Sequence, residues 1–203
     1  CIRDRYMESG DPQILADSYE LSRDWIDEVA GYLSADGVWD RRPDYVLGQL
    51  GDWLDPTAPP DDPTQAMTEK ELVATAFFAR SCAQVEQIAQ ILGKSEDVVR
   101  FGDLRKHVTS GFLGRFTNLD GTMTSDTQCA YALAIAFGLL DSEPVRRVKA
   151  GNRLAKLVRE SGGKVSTGFA GTPFVLPALT MTGHNEEAYG LLLSEAVSYT
   201  HLR

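Results

Sequence analysis

The chain has 203 residues, of which 43% are hydrophobic and 24% charged, the proportions of an ordinary globular domain with one core. Its 29 acidic residues outnumber the 20 basic ones, and the net charge of −9 argues against a nucleic-acid-binding surface. No apolar run is long enough to span a membrane, and no signal peptide is visible in a sequence that starts at Cys1 rather than Met.

The three cysteines are widely spaced and odd in number, which indicates buried, unpaired thiols in a reducing compartment. The three histidines show no ligand spacing with cysteine or aspartate, so we expect neither a metal ion nor another cofactor. The lack of cysteine pairs favours a cytoplasmic location.

The hydrophobic pattern of the first third predicts one helix and one long loop. An amphipathic helix opens at Asp11-Pro12, continues to about Leu33 and is closed by the turn at Gly37. A long irregular stretch follows, roughly residues 34–67, and contains the segment GQLGDWLD at 48–55. Loops of this length inside a compact domain are uncommon and are often functional.

The middle of the chain predicts a pair of helices and a second loop. The sequence TEKE at 68–71 is typical of a capping box, and its largely apolar helix ends at Gly93. Ser95 is predicted to cap the next, amphipathic helix. A second loop, residues 118–126, leads through Thr127 and Gln128 into a helix with almost no charge, which should be buried on all sides.

The last third repeats this arrangement. An amphipathic helix ends near Glu160, and a third loop follows it and finishes in the sequence STGFAGTP at 166–173. Its two glycines let another group approach the backbone closely, and Thr172 suits the N-cap of an apolar helix that stops at Gly183. The free N–H groups at this helix start can bind a ligand's oxygens, although an ordinary capped helix start is the equal alternative. Asn185 is predicted to cap the final amphipathic helix.

Amphipathic and apolar helices therefore alternate, and the links that lead into the apolar helices are the long ones. This alternation predicts an all-α fold of two concentric layers of antiparallel hairpins, a toroid, with an α-solenoid of hairpins as the alternative. In either layout the three long loops lie on one face, at the N-termini of the inner helices. We predict the functional site on that face.

The predicted face combines aromatic side chains with carboxylates, amides and hydroxyls. This combination suits a sugar, because an aromatic ring stacks on the C–H face of a pyranose while polar groups hold its hydroxyls. The residues concerned are Asp52, Trp53, Asp55, Asp120, Asp126, Thr127, Gln128, Thr167, Phe169 and Thr172. Structural alternatives are packing on the core for Trp53, and turn chemistry for Asp52 and Asp55. For Asp126 helix capping is favoured, and for Gln128 an internal hydrogen bond is equally plausible.

Four segments carry a resemblance to a known family. They are GDWL at 51–54, TQ-x-AYALA at 127–134, FGLL at 137–140, and STGF-x-GTP at 166–173 with the LP-x-L and TGH that follow it. In order, spacing and identity the chain resembles bacterial α-L-rhamnosidases, inverting glycoside hydrolases whose catalytic domain is an (α/α)₆ barrel. The resemblance extends to about Glu195.

The resemblance implies hydrolysis of terminal α-L-rhamnose from glycosides and polysaccharides. In such inverting enzymes one carboxylic acid protonates the leaving oxygen while a second carboxylate activates water on the far face of the ring. In the family the acid lies upstream of the part matched by Cys1 and the base lies downstream of the last helix, so no residue here is assigned as catalytic. The resemblance places a sugar-binding loop at Asp52-Trp53 and implies that the 167–172 loop lines the same face. The predicted substrate-binding residues are Asp52, Trp53, Gln128, Thr167, Gly168, Phe169, Gly171 and Thr172.

We therefore expect residues 1–195 to be part of one barrel domain, about three and a half of its six hairpins, and residues 196–203 to be a tail foreign to the family. Such a piece should be inactive alone, and exposed apolar edges should make it poorly soluble. Two alternatives remain open. One is a helical-repeat scaffold that binds a protein partner and has no sugar affinity, and the other is a toroid glycosidase that acts on glucose-type or uronic sugars.

Overall fold

The computed structural model describes residues 2–194, apart from Arg42, Asp44, Tyr45, Leu47 and Leu119. The predicted foreign tail, residues 196–203, lies outside the described residues. The helices are α1 (Ile2–Ser9), α2 (Gln13–Ala30), α3 (Lys70–Ile91), α4 (Ser95–Phe116), α5 (Gln128–Ala136), α6 (Pro144–Glu160), α7 (Thr172–Met181) and α8 (Asn185–Leu192).

The all-α prediction is confirmed, since the described residues contain these helices and, as the sole β interaction, a bridge between Thr117 and Met123. The sequence analysis missed α1, because its eight residues include few apolar ones and give no clear amphipathic stripe. None of the described helices has both the length and the apolar character needed to cross a bilayer.

The helices form two layers. Helices α3, α5 and α7 contact one another in chain order and make the inner layer, while α2, α4, α6 and α8 pack against them from outside. The inner helix α5 is buried continuously from Gln128 to Ile135, whereas the outer helices α2, α4 and α6 each bury one face. The predicted alternation is confirmed at α5, whereas the inner helix α7 buries only Val175, Ala178 and Leu179. The layers are those of antiparallel hairpins, as expected for either a toroid or an α-solenoid.

The predicted helix ends are more accurate than the predicted helix starts. Gly93 and Gly183 have φ angles of 69° and 84°, and after each glycine the next N–H bonds to a carbonyl five residues earlier, which closes α3 and α7 as expected. At the starts, Ser95 and Asn185 are the first residues of α4 and α8 rather than their N-caps. The predicted caps are thus wrong by one position.

Candidate functional site

Three irregular segments precede the inner helices, namely residues 31–69 before α3, 117–127 before α5 and 161–171 before α7. We call them the first, second and third loops. The Thr68 and Thr127 hydroxyl oxygens are 2.7 Å apart and join the first loop to the second. The Asp52 carboxylate accepts the N–H of Gly168 and joins the first loop to the third. The loops thus form one continuous surface, the loop face, at the N-termini of the inner helices.

Asp52 lies at the junction of the first and third loops and is fully buried. One carboxylate oxygen accepts the N–H of Gly168 at 2.7 Å, and the other accepts the N–H of Gly171 at 2.9 Å. Burial raises the pKa of Asp52, while the two backbone hydrogen bonds and the Cys129 thiol act in the opposite direction. We call this pair of backbone hydrogen bonds the Asp52 clasp. Through it, the carboxylate holds the third loop on the first.

Gly168 and Gly171 are needed because the two loops touch through their backbones. A Cβ at Gly168 would lie less than 3.0 Å from the carbonyl oxygens of Asp52 and Trp53. A Cβ at Gly171 would lie 2.9 Å from the side chain of Cys129. The glycines therefore do permit a close approach, and in this structure the approaching group is another part of the same chain.

The clasp brings two aromatic residues together. The N–H of Phe169 donates to the carbonyl of Trp53 at 2.8 Å, so the two backbones are directly joined. The Trp53 side chain is half-buried, and Phe169 is 57% exposed. Leu54, which follows Trp53, has a φ of 60°, a conformation that is costly for a residue other than glycine and that is held by surrounding structure. The loop face thus presents two aromatic residues whose backbones are bonded to each other, and one of them, Trp53, directly precedes a constrained residue.

Gln128 is 3% exposed, and its side chain is bonded within the protein. Its amide nitrogen donates to the Lys164 carbonyl at 3.1 Å and to the Ser161 hydroxyl at 3.2 Å, and its amide oxygen accepts the N–H of Ser166 at 3.0 Å. The alternative of an internal hydrogen bond therefore describes this residue. Gln128 fixes the beginning of the third loop to the start of α5.

The two threonines of the third loop bond to each other. Thr167 is fully buried, and its hydroxyl oxygen lies 2.8 Å from that of Thr172. Thr172 also donates to the Gly168 carbonyl at 2.7 Å, while Gly171 occupies the N-cap of α7. The predicted Thr172 cap is therefore wrong by one position. Of the polar side chains predicted to bind substrate, only that of Thr172 keeps exposed surface.

The predicted capping box at 68–71 is wrong, because Thr68 and Glu69 bond to the second loop instead. Thr68 pairs with Thr127, and the Glu69 carboxylate accepts the hydroxyls of Thr124 at 2.6 Å and Ser125 at 3.1 Å. Thr127 does cap α5, since its hydroxyl accepts the N–H of Ala130 at 3.2 Å. The sequence analysis missed these links, and a polar residue just before each inner helix was their only local signal.

Asp55 and Asp120 stabilise turns. Asp55 accepts the N–H of Thr57 at 2.8 Å and its hydroxyl at 2.6 Å. Asp120 makes the same pair of bonds to Thr122, at 2.9 Å and 2.7 Å. Turn chemistry therefore accounts for both carboxylates.

Asp126 joins the second loop to two helices, so its predicted role as a helix cap is wrong. Its carboxylate accepts hydrogen bonds from Nε and Nη2 of Arg153 in α6, at 2.9 Å and 2.5 Å. It also accepts a hydrogen bond of 2.9 Å from the hydroxyl of Tyr131 in α5. Arg153 is the main reason that the pKa of Asp126 is lowered, whereas burial is the main reason that the pKa of Tyr131 is raised to about 12.

We expect Asp126→Asn to cost about 1 kcal/mol of unfolding free energy at pH 7, the upper end for a partly exposed ion pair. A carboxyl with a lowered pKa contributes stability above its unfolded pKa and loses that contribution as the pH falls through the folded value. Urea denaturation at pH 7 and near pH 3 should therefore show the difference from the parent shrinking at the lower pH. Asp103→Asn, which removes an exposed pair with Lys106, is the control and should change neither value. An equal cost of Asp126→Asn at both pH values would contradict the prediction.

Another aromatic group is formed by side chains of α3 and α7 and by Phe137, which directly follows α5. Phe77, Phe137 and Phe174 make edge-to-face contacts, and the Arg80 guanidinium lies 4.5 Å and 4.6 Å from the ring centres of Phe137 and Phe174. The adjoining cleft has a volume of about 370 Å³. These rings pack on one another and on the arginine.

Comparison with known proteins points to one family. Residues 1–201 match the family described as the bacterial alpha-L-rhamnosidase 6 hairpin glycosidase domain. An α-L-rhamnosidase of Streptomyces avermitilis is 34% identical over 187 residues, which are 92% of this chain and 16% of that protein.

Two solved structures are similar to the chain over most of its length. The native α-L-rhamnosidase of Aspergillus terreus superposes with a TM-score of 0.84 at 32% identity, covering 93% of this chain and 21% of its own. The Streptomyces avermitilis α-L-rhamnosidase complexed with L-rhamnose superposes with a TM-score of 0.74 at 34% identity, and the match covers 91% of this chain and 16% of that one. The chain thus spans about a fifth or less of these relatives. The six-hairpin match favours the toroid over the solenoid.

Proposed function

Because the chain belongs to the bacterial α-L-rhamnosidase six-hairpin glycosidase family, we propose that it forms part of an inverting glycoside hydrolase that releases terminal α-L-rhamnose from glycosides or polysaccharides. The observation that carries this proposal is the pair of aromatic residues, Trp53 and Phe169, joined through their backbones on the loop face. A relative solved with L-rhamnose supports the choice of sugar.

The proposed sugar contacts are the predicted residues that keep exposed surface, namely Trp53, Phe169 and Thr172. An aromatic ring packs against the C–H face of a pyranose, and a hydroxyl next to it can bond a sugar hydroxyl. We propose that the other predicted residues shape the loop face from beneath. They are Asp52, Gln128, Thr167, Gly168 and Gly171.

Inverting hydrolysis needs an acid and a base on opposite sides of the sugar. The carboxylates of Asp52, Asp55, Asp120 and Asp126 bond to backbone amides, hydroxyls or Arg153, and we assign neither catalytic role to them. We propose that both catalytic carboxyls lie elsewhere in a longer protein and that this chain alone has no hydrolytic activity. We also propose a cytoplasmic location, in keeping with the free, buried thiols of Cys82 and Cys129.

We expect Trp53→Ala to weaken L-rhamnose binding by about twofold to tenfold, because one aromatic stacking contact contributes about 0.5–1.5 kcal/mol. Calorimetric titration of the purified chain measures this affinity. Trp25→Ala is the matched control, since it removes a 42% exposed tryptophan of the outer helix α2 whose ring packs on Trp39 and Phe78.

The same titration separates the alternative functions. A parent chain that binds D-glucose or D-glucuronate more tightly than L-rhamnose would point to another toroid glycosidase. A chain that binds none of these sugars would leave the protein-binding scaffold as the better hypothesis. A Trp53→Ala variant that binds L-rhamnose as tightly as the parent would remove Trp53 from the site.

A further inference from the structure

We infer that Asp52 is a positioning residue whose carboxylate locks the third loop against the first, so that Trp53 and Phe169 form one preformed aromatic surface for the sugar. This inference rests on the proposed rhamnose-binding function of the loop face. It gives Asp52 an indirect role, because a fully buried carboxylate offers no surface to a ligand.

The geometry of the clasp carries the inference. Three N–H groups of the third loop donate to the Asp52-Trp53 dipeptide: those of Gly168 and Gly171 to the carboxylate, and that of Phe169 to the Trp53 carbonyl. In the sequence, Phe169 thus lies between Gly168 and Gly171, which the carboxylate binds, and Trp53 directly follows Asp52. The clasp therefore fixes the relative position of the two aromatic backbones.

The chemistry of Asp52 fits this role better than a role in stability alone. The groups that act most on its ionisation are two backbone amides, the Cys129 thiol and the Asp55 carboxylate, with no basic side chain among them. An ionised carboxylate buried without a basic partner is costly, but it supplies two acceptors and no donor. Asparagine in its place would direct an NH₂ group at one of the two loop N–H groups.

The residue Leu54 supplies independent support. It follows Trp53 directly and is held with a positive φ by its surroundings, including a hydrogen bond of 3.0 Å from its N–H to the Pro63 carbonyl. Strained backbone persists where the structure over-determines it, and such positions are concentrated at ligand sites. Trp53 therefore lies in the sequence between two energetically unfavourable features, the buried carboxylate of Asp52 and the positive φ of Leu54.

The test compares Asp52→Asn with Asp55→Asn, which lies in the same loop and keeps an acceptor for its local turn to Thr57. Hydrogen exchange with mass spectrometry follows the amides of residues 166–172, and titration measures L-rhamnose affinity. We expect Asp52→Asn to speed exchange in the third loop by about tenfold or more, with α4 unchanged, and to weaken L-rhamnose binding about threefold to tenfold. Asp55→Asn should change neither.

A pH series supplies a readout that a general loss of stability would not give. Protonation of Asp52 converts an acceptor oxygen into a donor, so the L-rhamnose affinity of the parent should fall towards that of Asp52→Asn as the pH drops through the raised pKa of Asp52. The affinity of Asp52→Asn itself should lack this step, and that of Asp55→Asn should retain it. Circular dichroism at each pH establishes that the chain is folded.

The outcomes separate the inference from the proposed function. A parent that binds L-rhamnose, with Asp52→Asn binding equally well or exchanging at the parent's rate, overturns the positioning role and leaves the function intact. A parent without L-rhamnose affinity overturns the function and this inference with it. If Asp52→Asn does not fold, the pH series of the parent chain replaces it, because protonation of Asp52 removes an acceptor from the clasp without any substitution. A parent whose L-rhamnose affinity stays constant through that pH range, while circular dichroism shows it folded, then overturns the inference.

Discussion

Replacing Gly168 with alanine is expected to abolish measurable L-rhamnose binding and to lower the unfolding free energy by about 3 kcal/mol, the upper end for an overpacked core position. The added Cβ would lie less than 3.0 Å from the carbonyl oxygens of Asp52 and Trp53. Both are backbone atoms, so neither can rotate away as a flexible side chain would. The first and third loops must separate, and the Asp52 clasp and the Phe169–Trp53 backbone bond break with them.

Thermal unfolding and L-rhamnose titration measure the two effects of Gly168→Ala. For a chain of this size, about 3 kcal/mol corresponds to a fall in Tm of about 6–12 °C. Gly190→Ala is the control, because Gly190 lies in the outer helix α8 and a Cβ there would meet nothing within 4 Å. It should leave the affinity unchanged and alter the stability by about 1 kcal/mol at most. A Gly168→Ala chain with the parent's Tm and affinity would show that the loops are not held in contact.

Helices α2 to α8 and the loop face could be predicted because their signals are local. Apolar periodicity distinguishes the buried α5 from the amphipathic α2 and α6 within a window of a few turns. The unusual lengths of the links into α3, α5 and α7 placed the loops at equivalent positions. Alternation of the two helix types then fixed the layers without any knowledge of which residues touch.

The partners of the polar loop residues could not be predicted, because they are distant in sequence. Asp52 binds amides 116 and 119 residues away, and Thr68 pairs with Thr127 across 59 residues. A carboxylate in a loop gives the same local pattern whether it faces solvent, closes a turn or clasps another loop. The capping-box prediction is wrong for this reason, because the side chains of Thr68 and Glu69 bond to the second loop instead of to the first turn of α3.

On the loop face, buried and exposed side chains therefore have different roles. Polar side chains that motif reasoning would place against the substrate, such as Asp52, Gln128 and Thr167, are buried and hold the loops together. The predicted residues left on the surface are Trp53 and Phe169, which lie beside them in sequence, and Thr172. In the proposed function, the buried polar residues determine the shape of the site, and Trp53, Phe169 and Thr172 contact the sugar.

Gly111→Ala should destabilise the chain by about 3 kcal/mol relative to Gly114→Ala, a substitution three residues away in the same helix. Both changes gain about 1 kcal/mol of helix propensity, so that term cancels between them. At the buried Gly111, a Cβ would lie less than 3.0 Å from the backbone carbonyl oxygen of Asp36, where the turn after α2 packs on α4. At the exposed Gly114, a Cβ would meet nothing within 4 Å.

Chemical denaturation of the two variants and the parent tests this prediction, with circular dichroism at 222 nm as the signal. We expect Gly114→Ala to be as stable as the parent or up to about 1 kcal/mol more stable, because an exposed helix gains from alanine. Gly111→Ala should unfold at lower denaturant concentration with an unchanged slope, which would assign the loss to packing rather than to the unfolded state. Equal midpoints for the two variants would mean that the turn at Asp36 moves off α4 at little cost. The close contact between the first loop and α4 would then not contribute to holding the loop face on the helical layers.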